Sequence, residues 1–114
     1  KENKMANTFK NAALANVNNS AYATLYTAPS ATQVVILGLA IANKTNAAVT
    51  VKVQFTDSSA STTHQLLEDV SIPAKTTLET LAGQKYILEA SDILKVQAGT
   101  GSSLDVVLGL MEKS

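Results

Sequence analysis

From Val49 to Thr56 the chain alternates without a break. Val49, Val51, Val53 and Phe55 fall on one side; Thr50, Lys52, Gln54 and Thr56 fall on the other. A repeat of two is that of a strand with one dry face and one wet face, and no helix presents those four apolar groups together. Upstream, Thr32–Asn43 (TQVVILGLAIAN) is apolar at nearly every position. That pattern predicts a central strand covered on both sides, with Gly38 marking a bulge or a close neighbour.

Weaker versions of the same signal recur. Ala21–Thr27 alternates and is closed by Pro29; His64–Ile72 ends at Pro73. Proline lacks the N–H that a ladder needs. Thr76–Leu81, Tyr86–Glu89, Ile93–Ala98 and Leu104–Met111 complete the set, separated by turn-forming clusters at 43–46, 57–61 and 82–84. Gly99-Thr100-Gly101 reads as a hairpin joining the last two strands. Only Ala12–Ala15 and Leu78–Ala82 would suit a helical turn. About eight strands at this spacing predict an all-β fold, a single β-sandwich of mainly antiparallel strands. Periodicity does not encode strand order, so immunoglobulin-like and jelly-roll connectivities both fit.

The 114 residues suit one domain. Residues 1–19 are polar and rich in Asn, and Phe9, Leu14 and Val17 are too few to build a core. We expect an extended N-terminal arm over 1–19, with a short strand near Ala12–Val17, and the sandwich over 20–114. Lys1–Met5 lacks the apolar stretch of a secretory signal, and Met5 is a candidate start.

Composition removes several functions. There is no Cys and a single His, which excludes a disulfide framework, a thiolate metal site and a multi-histidine centre within one chain. All nine basic residues are Lys, balanced by nine acidic ones. Zero net charge without Arg leaves little to recognise phosphate, so nucleic acid is not an expected partner. No apolar run approaches the ~18 residues of a membrane helix, and no membrane partner is expected. Aromatic residues are 4% of the chain, so the core must be aliphatic.

The chemically suggestive residues have ordinary readings. His64 can be drawn with Asp57 or Asp69 and a nearby Ser, but no G-x-S-x-G elbow is present, and geometry defines a triad. We read it as a surface histidine. Glu68 and Asp69 are adjacent on a strand and point to opposite faces unless a bulge intervenes. Asp92 suits a cap on the turn entering the Ile93 strand. Gly99-Thr100-Gly101 lacks the following helix of a phosphate loop. Alternation places Tyr22 and Tyr26 on one face, roughly 13 Å apart, a spacing that would suit a sugar platform. We assign no catalytic residue, no metal ligand and no cofactor, and expect no enzyme activity.

Several strings together carry a resemblance: Leu25-Tyr26-Thr27-Ala28-Pro29, Ile41-Ala42-Asn43, Val49-Thr50-Val51, Ser71-Ile72-Pro73-Ala74-Lys75-Thr76-Thr77-Leu78, Leu88-Glu89-Ala90-Ser91-Asp92-Ile93-Leu94-Lys95-Val96 and Ser103-Leu104-Asp105-Val106-Val107-Leu108. In this order they resemble small β-sandwich virion proteins of tailed bacteriophages, especially marine and cyanobacterial phages. The likeness runs from about Leu25 to Glu112, with Ser91 where those proteins usually carry Gly. It implies a non-enzymatic structural component of the virion, assembled in the bacterial cytoplasm. The first expectation is a capsid decoration (cement) protein that binds the major capsid protein or other virion proteins, and that is a homo-oligomer, a trimer being one arrangement. The alternative is a tail, neck or fibre module binding a host-surface glycan or protein. The expected partner-interface residues are Phe9, Leu14 and Val17 on the arm, with Tyr22 and Tyr26.

Overall fold

A computed structural model describes residues 7–80 and 86–113. Its elements are β1 (Asn7–Leu14), β2 (Ala23–Thr27), β3 (Gln33–Asn43), β4 (Val49–Asp57), β5 (Thr62–Ile72), β6 (Thr77–Glu79), β7 (Tyr86–Leu88), β8 (Ile93–Ala98) and β9 (Leu104–Lys113). They pair antiparallel in two sheets. Sheet I has the order β1-β9-β3-β6, with β7 also on β3; sheet II has the order β2-β8-β4-β5. β6 pairs with Ala40–Ala42 and β7 with Val34–Ile36, so these two short strands share one edge of β3. With β6 and β7 counted as one interrupted strand, the orders 1-9-3-6/7 and 2-8-4-5 are those of a jelly roll, which resolves the connectivity that periodicity left open.

Strand pairing turns alternation into a core. β4 sends Val49, Val51 and Val53 inward, as its sequence predicts. In β3 the register slips between Ile36 and Gly38, so Ile36 and Leu39 both face inward though three residues apart. Gly38 therefore marks a bulge; a Cβ built there meets nothing within 4 Å. From β9 come Leu104, Val106, Leu108 and Leu110, all almost fully buried. No aromatic ring is fully buried among the described residues. Each enclosed Val, Leu or Ile contributes about 1.5–3 kcal/mol relative to an exposed one.

Buried polar side chains fix the ends of the sandwich. The Asn43 amide donates to the carbonyls of Ala47 and Ile72 at 2.8 and 2.9 Å, while its oxygen accepts from the Thr45 N–H at 2.9 Å. One side chain thus holds the β3–β4 turn against the end of β5. Asp92 is 2% exposed and accepts the N–H groups of Ser58 and Glu89 at 3.0 and 2.9 Å. The expected turn cap is present, and it also ties the β4–β5 loop. Ser91 beside it has φ 71°, the left-handed region that glycine enters without steric cost.

Three sequence expectations need correction. The Gly99-Thr100-Gly101 segment is not a hairpin: β8 pairs within sheet II and β9 within sheet I, so the loop crosses between layers. It crosses tightly, with the Gly99 N–H bonded to the Thr50 carbonyl at 2.7 Å and a Cβ at Gly99 falling 2.1 Å from Thr50 Oγ1. The supposed arm is extended, but Asn7–Leu14 pairs with β9 along its whole length and is an edge strand of sheet I. Neither candidate helical turn is helical where described, since Ala12–Leu14 and Leu78–Glu79 are strand and Thr80 donates its N–H to the Leu39 carbonyl; residues 81–82 of the second, and the 82–84 turn, lie outside the described residues.

Candidate docking surface

The two sheets differ on their outer faces. On sheet II, the outward residues of β4 are Thr50, Lys52, Gln54 and Thr56, and the register sets Lys52 beside Gln97 and Gln54 beside Lys95. That face is wet. On sheet I, Phe9 pairs with Met111, Met111 with Val35, and Val35 with Ile87. Inward residues alternate with these four, so a row of apolar side chains crosses four strands on the solvent side. Phe9 is 73% exposed, Ile87 55% and Val107 51%; Leu37, at the β3 bulge, is exposed as well. Beside the row Gly38 pairs with Gly109, and a Cβ on either would meet nothing within 4 Å. The centre of the face is therefore bare backbone that another surface can approach closely.

The five expected interface residues do not form one patch. Phe9 lies at the β1 end of the row. Leu14 faces inward and is half-buried against the core. Val17 is 2% exposed, with its N–H on the Leu104 carbonyl at 2.9 Å; it closes the core and has no surface to offer. Tyr22 and Tyr26 do not share a face, because the β2 register slips between Thr24 and Tyr26. Tyr22 reaches Gln65 on β5, whereas Tyr26 crosses to sheet I and donates to Glu112 Oε2 at 2.5 Å. A two-tyrosine platform is thus absent. Val35, Leu37, Ile87, Val107 and Met111 were not singled out by sequence reasoning, although the signal was present. The sequence predicts a β3 covered on both sides; the two-layer sandwich covers only one, and Leu37 on the other side is 41% exposed.

Several ionisable groups are engaged in holding the fold. Glu112 takes Tyr26 and, at 3.0 Å, Lys10. The Tyr26 hydrogen bond and Lys10 hold its carboxyl below the usual value of 4.5. Burial, and then Glu112 itself, push the Tyr26 phenol well up. Asp105 accepts the Asn16 N–H at 3.0 Å and pairs with Lys44 at 3.0 Å, contacts that hold its carboxyl below the usual 3.8. A bulge does intervene at Glu68–Asp69, where the β4–β5 register jumps from Val51↔Val70 to Val53↔Leu67. Both carboxylates consequently reach Lys52, Asp69 at 3.0 Å and Glu68 at 3.5 Å, and raise its pKa. His64 is exposed, stacks on Phe55 at 6.2 Å between centroids and contacts Thr62 Oγ1. Asp57 accepts from Ser59 and Ala60 within its own turn. Among the described residues no three His, Asp or Glu converge as a metal site would require.

No protein-family model matches the chain, and no curated protein matches it. Among solved structures, a protein of Bacillus endospore appendages, described as disulfide-linked pili, superposes with a TM-score of 0.58 at 7% identity, covering 98% of this chain and 91% of its own. The capsid asymmetric unit of cyanophage Pam1 gives a TM-score of 0.43 at 16% identity, with coverage of 96% and 85%. A pentameric capsid protein from metagenomic phage sequences gives 0.39 at 16%, with coverage of 92% and 64%. The first of these likenesses supports the fold.

Proposed function

We propose that the chain is a structural subunit of a phage virion, a decoration protein that seats the outer face of sheet I on the capsid shell. The observation that carries the reading is the uncovered apolar row Phe9–Met111–Val35–Ile87, with Val107 and the Gly38–Gly109 pair beside it. Contiguous exposed apolar surface of this kind marks an interaction site on a soluble domain. The resemblance of Leu25–Glu112 to phage virion proteins supplies the partner: the major capsid protein. Zero net charge and the absence of Arg fit a protein surface better than nucleic acid. Assembly through disulfides, as described for the spore appendages, is not open to these 114 residues, which include no Cys. The contacts are therefore non-covalent.

The test is stoichiometry and occupancy. Quantitative mass spectrometry of purified virions should find this chain in hundreds of copies, near the number set by the shell lattice; a handful of copies would place it in the tail or neck instead. Shells stripped of the protein should recover it from solution. Val107→Asp should rebind at least tenfold more weakly, as expected when a charge enters an apolar contact. Unchanged rebinding would remove this face from the reading.

A further inference from the structure

Sheet I carries a knob at one edge and the chain carries a hole at the other. Phe9 on β1 is the most exposed large apolar side chain described, and the second Phe, Phe55, lines the hole. The hole is a cavity of about 170 Å³ lined by Ile36, Phe55, Leu66, Tyr86, Ile87, Leu88 and Leu94. It sits at the seam where β7 of sheet I meets β4 and β5 of sheet II, with Tyr86 and Ile87 exposed at its mouth. A register slip in β5, from Val53↔Leu67 to Gln54↔Gln65, leaves Leu66 unpaired and half-buried on its wall. An apolar cavity of roughly 150 Å³ stays dry and accepts one benzene molecule, so this hole has the size and lining to take one phenyl ring.

We propose that Phe9 of one copy fills this cavity in a second copy. The chain cannot fill it with its own Phe9: β9 and β3 separate β1 from β7, ~14 Å between strand axes, and Phe9 points away from the interlayer space. The contact joins unlike surfaces, so it is heterologous and repeats around a ring or along a fibre. Zero net charge removes the general repulsion that would oppose it. It uses Phe9 and Ile87, the two ends of the apolar row, and leaves Met111, Val35 and Val107 in the middle of the face for a capsid.

Sedimentation of the full chain over a concentration series into the submillimolar range tests this. The wild type should show an average mass that rises above the monomer. Phe9→Ala removes the knob and Ile87→Lys blocks the mouth; both positions are exposed, and thermal melts should confirm that both variants fold. Each alone should remain monomeric. An equimolar mixture should give dimers and nothing larger, because one variant keeps its socket and the other its knob. A wild type that is monomeric throughout would overturn the proposal. So would a Phe9→Ala variant that associates like the wild type, or a mixture that stays monomeric. Failure to bind shells would leave all of these outcomes unaltered, so the two proposals fail separately.

Discussion

The outer faces of the two sheets are built from similar strands but present opposite chemistry. In β4 alternation is complete, so the residues that do not enter the core are Thr, Lys and Gln. In β3 and β9 the outward positions include Val35, Leu37, Ala40, Val107 and Met111, with Gln33 and Asp105 polar towards the strand ends. Both sheets supply the same aliphatic interior, so burial within one chain does not explain the second apolar face. The difference teaches that the period of a strand reports how many of its faces are apolar, which need not equal the number that one chain covers. Sheet II turns polar side chains outward, whereas the outer face of sheet I carries apolar side chains left exposed among the described residues, the face we propose to dock.

Neighbouring residues of β9 test this most sharply. Leu108 is fully buried and Val107 is half exposed. Leu108→Ala should cost about 3 kcal/mol, the sum of lost burial and the cavity left behind, measured by chemical denaturation. Val107→Asp should change stability by less than about 0.5 kcal/mol, as surface substitutions do, while weakening docking. Comparable destabilisation by both would mean that the outer face is a second core surface of the chain itself.

Next in size is the tie between the layers. Tyr26 on sheet II donates to Glu112 on sheet I, and Tyr26→Phe removes that donor without changing the ring. The loss should be about 1 kcal/mol, because a bond to a charged group is strong but this one is partly solvated. A variant as stable as the wild type would show that the sheets are held by aliphatic packing alone. A smaller effect of opposite sign is expected at the turn linking β7 to β8. Ser91 holds φ 71°, and Ser91→Gly should raise stability by about 0.5 kcal/mol, as steric relief outweighs the entropy of glycine. A drop in melting temperature would show that the serine hydroxyl contributes more than its backbone costs.

Much of this architecture was legible because strands announce themselves locally. β3 and β4 follow the predicted runs to within two residues, and the cap at Asp92 followed from a short acceptor before a strand. What was not legible depends on pairing. The Asn-rich stretch from Asn7 to Leu14 has no strong alternation, since an edge strand with one neighbour needs less apolar surface; only the presence of β9 makes it a strand. Leu25 shows the same limit: one slipped residue in β2 separates Tyr22 from Tyr26, and a slip reverses every later side chain. The loop at Gly99 has a hairpin's composition but joins two layers, because Thr50 sits where only a glycine passes. The apolar outer face of sheet I was foreshadowed by a β3 that is apolar on both sides, yet its extent became clear only when strand pairing set Phe9, Met111, Val35 and Ile87 in one row.

The smallest effect expected is on acidification, and it falls on sheet I. Glu112 and Asp105 both belong to β9, and both carboxyls are depressed by their partners: Tyr26 and Lys10 for the first, the Asn16 N–H and Lys44 for the second. A carboxyl whose pKa is lower in the folded state stabilises the fold above its unfolded value and loses that contribution as pH falls through the folded one. Stability should therefore decline as pH drops through the ordinary values of 4.5 and 3.8 and continue to decline below them. The decline should be shallow, because the Asp105–Lys44 pair is partly exposed and Glu112, though its side chain is mostly covered, has an exposed partner in Lys10. Thermal melts across this range would measure it, with the Glu112→Gln/Asp105→Asn double variant as the reference. The variant should start less stable at neutral pH and converge on the wild type in acid. If both chains keep parallel profiles, these pairs do not hold the ends of β9, and the apolar row is positioned by backbone pairing with β1 and β3 alone.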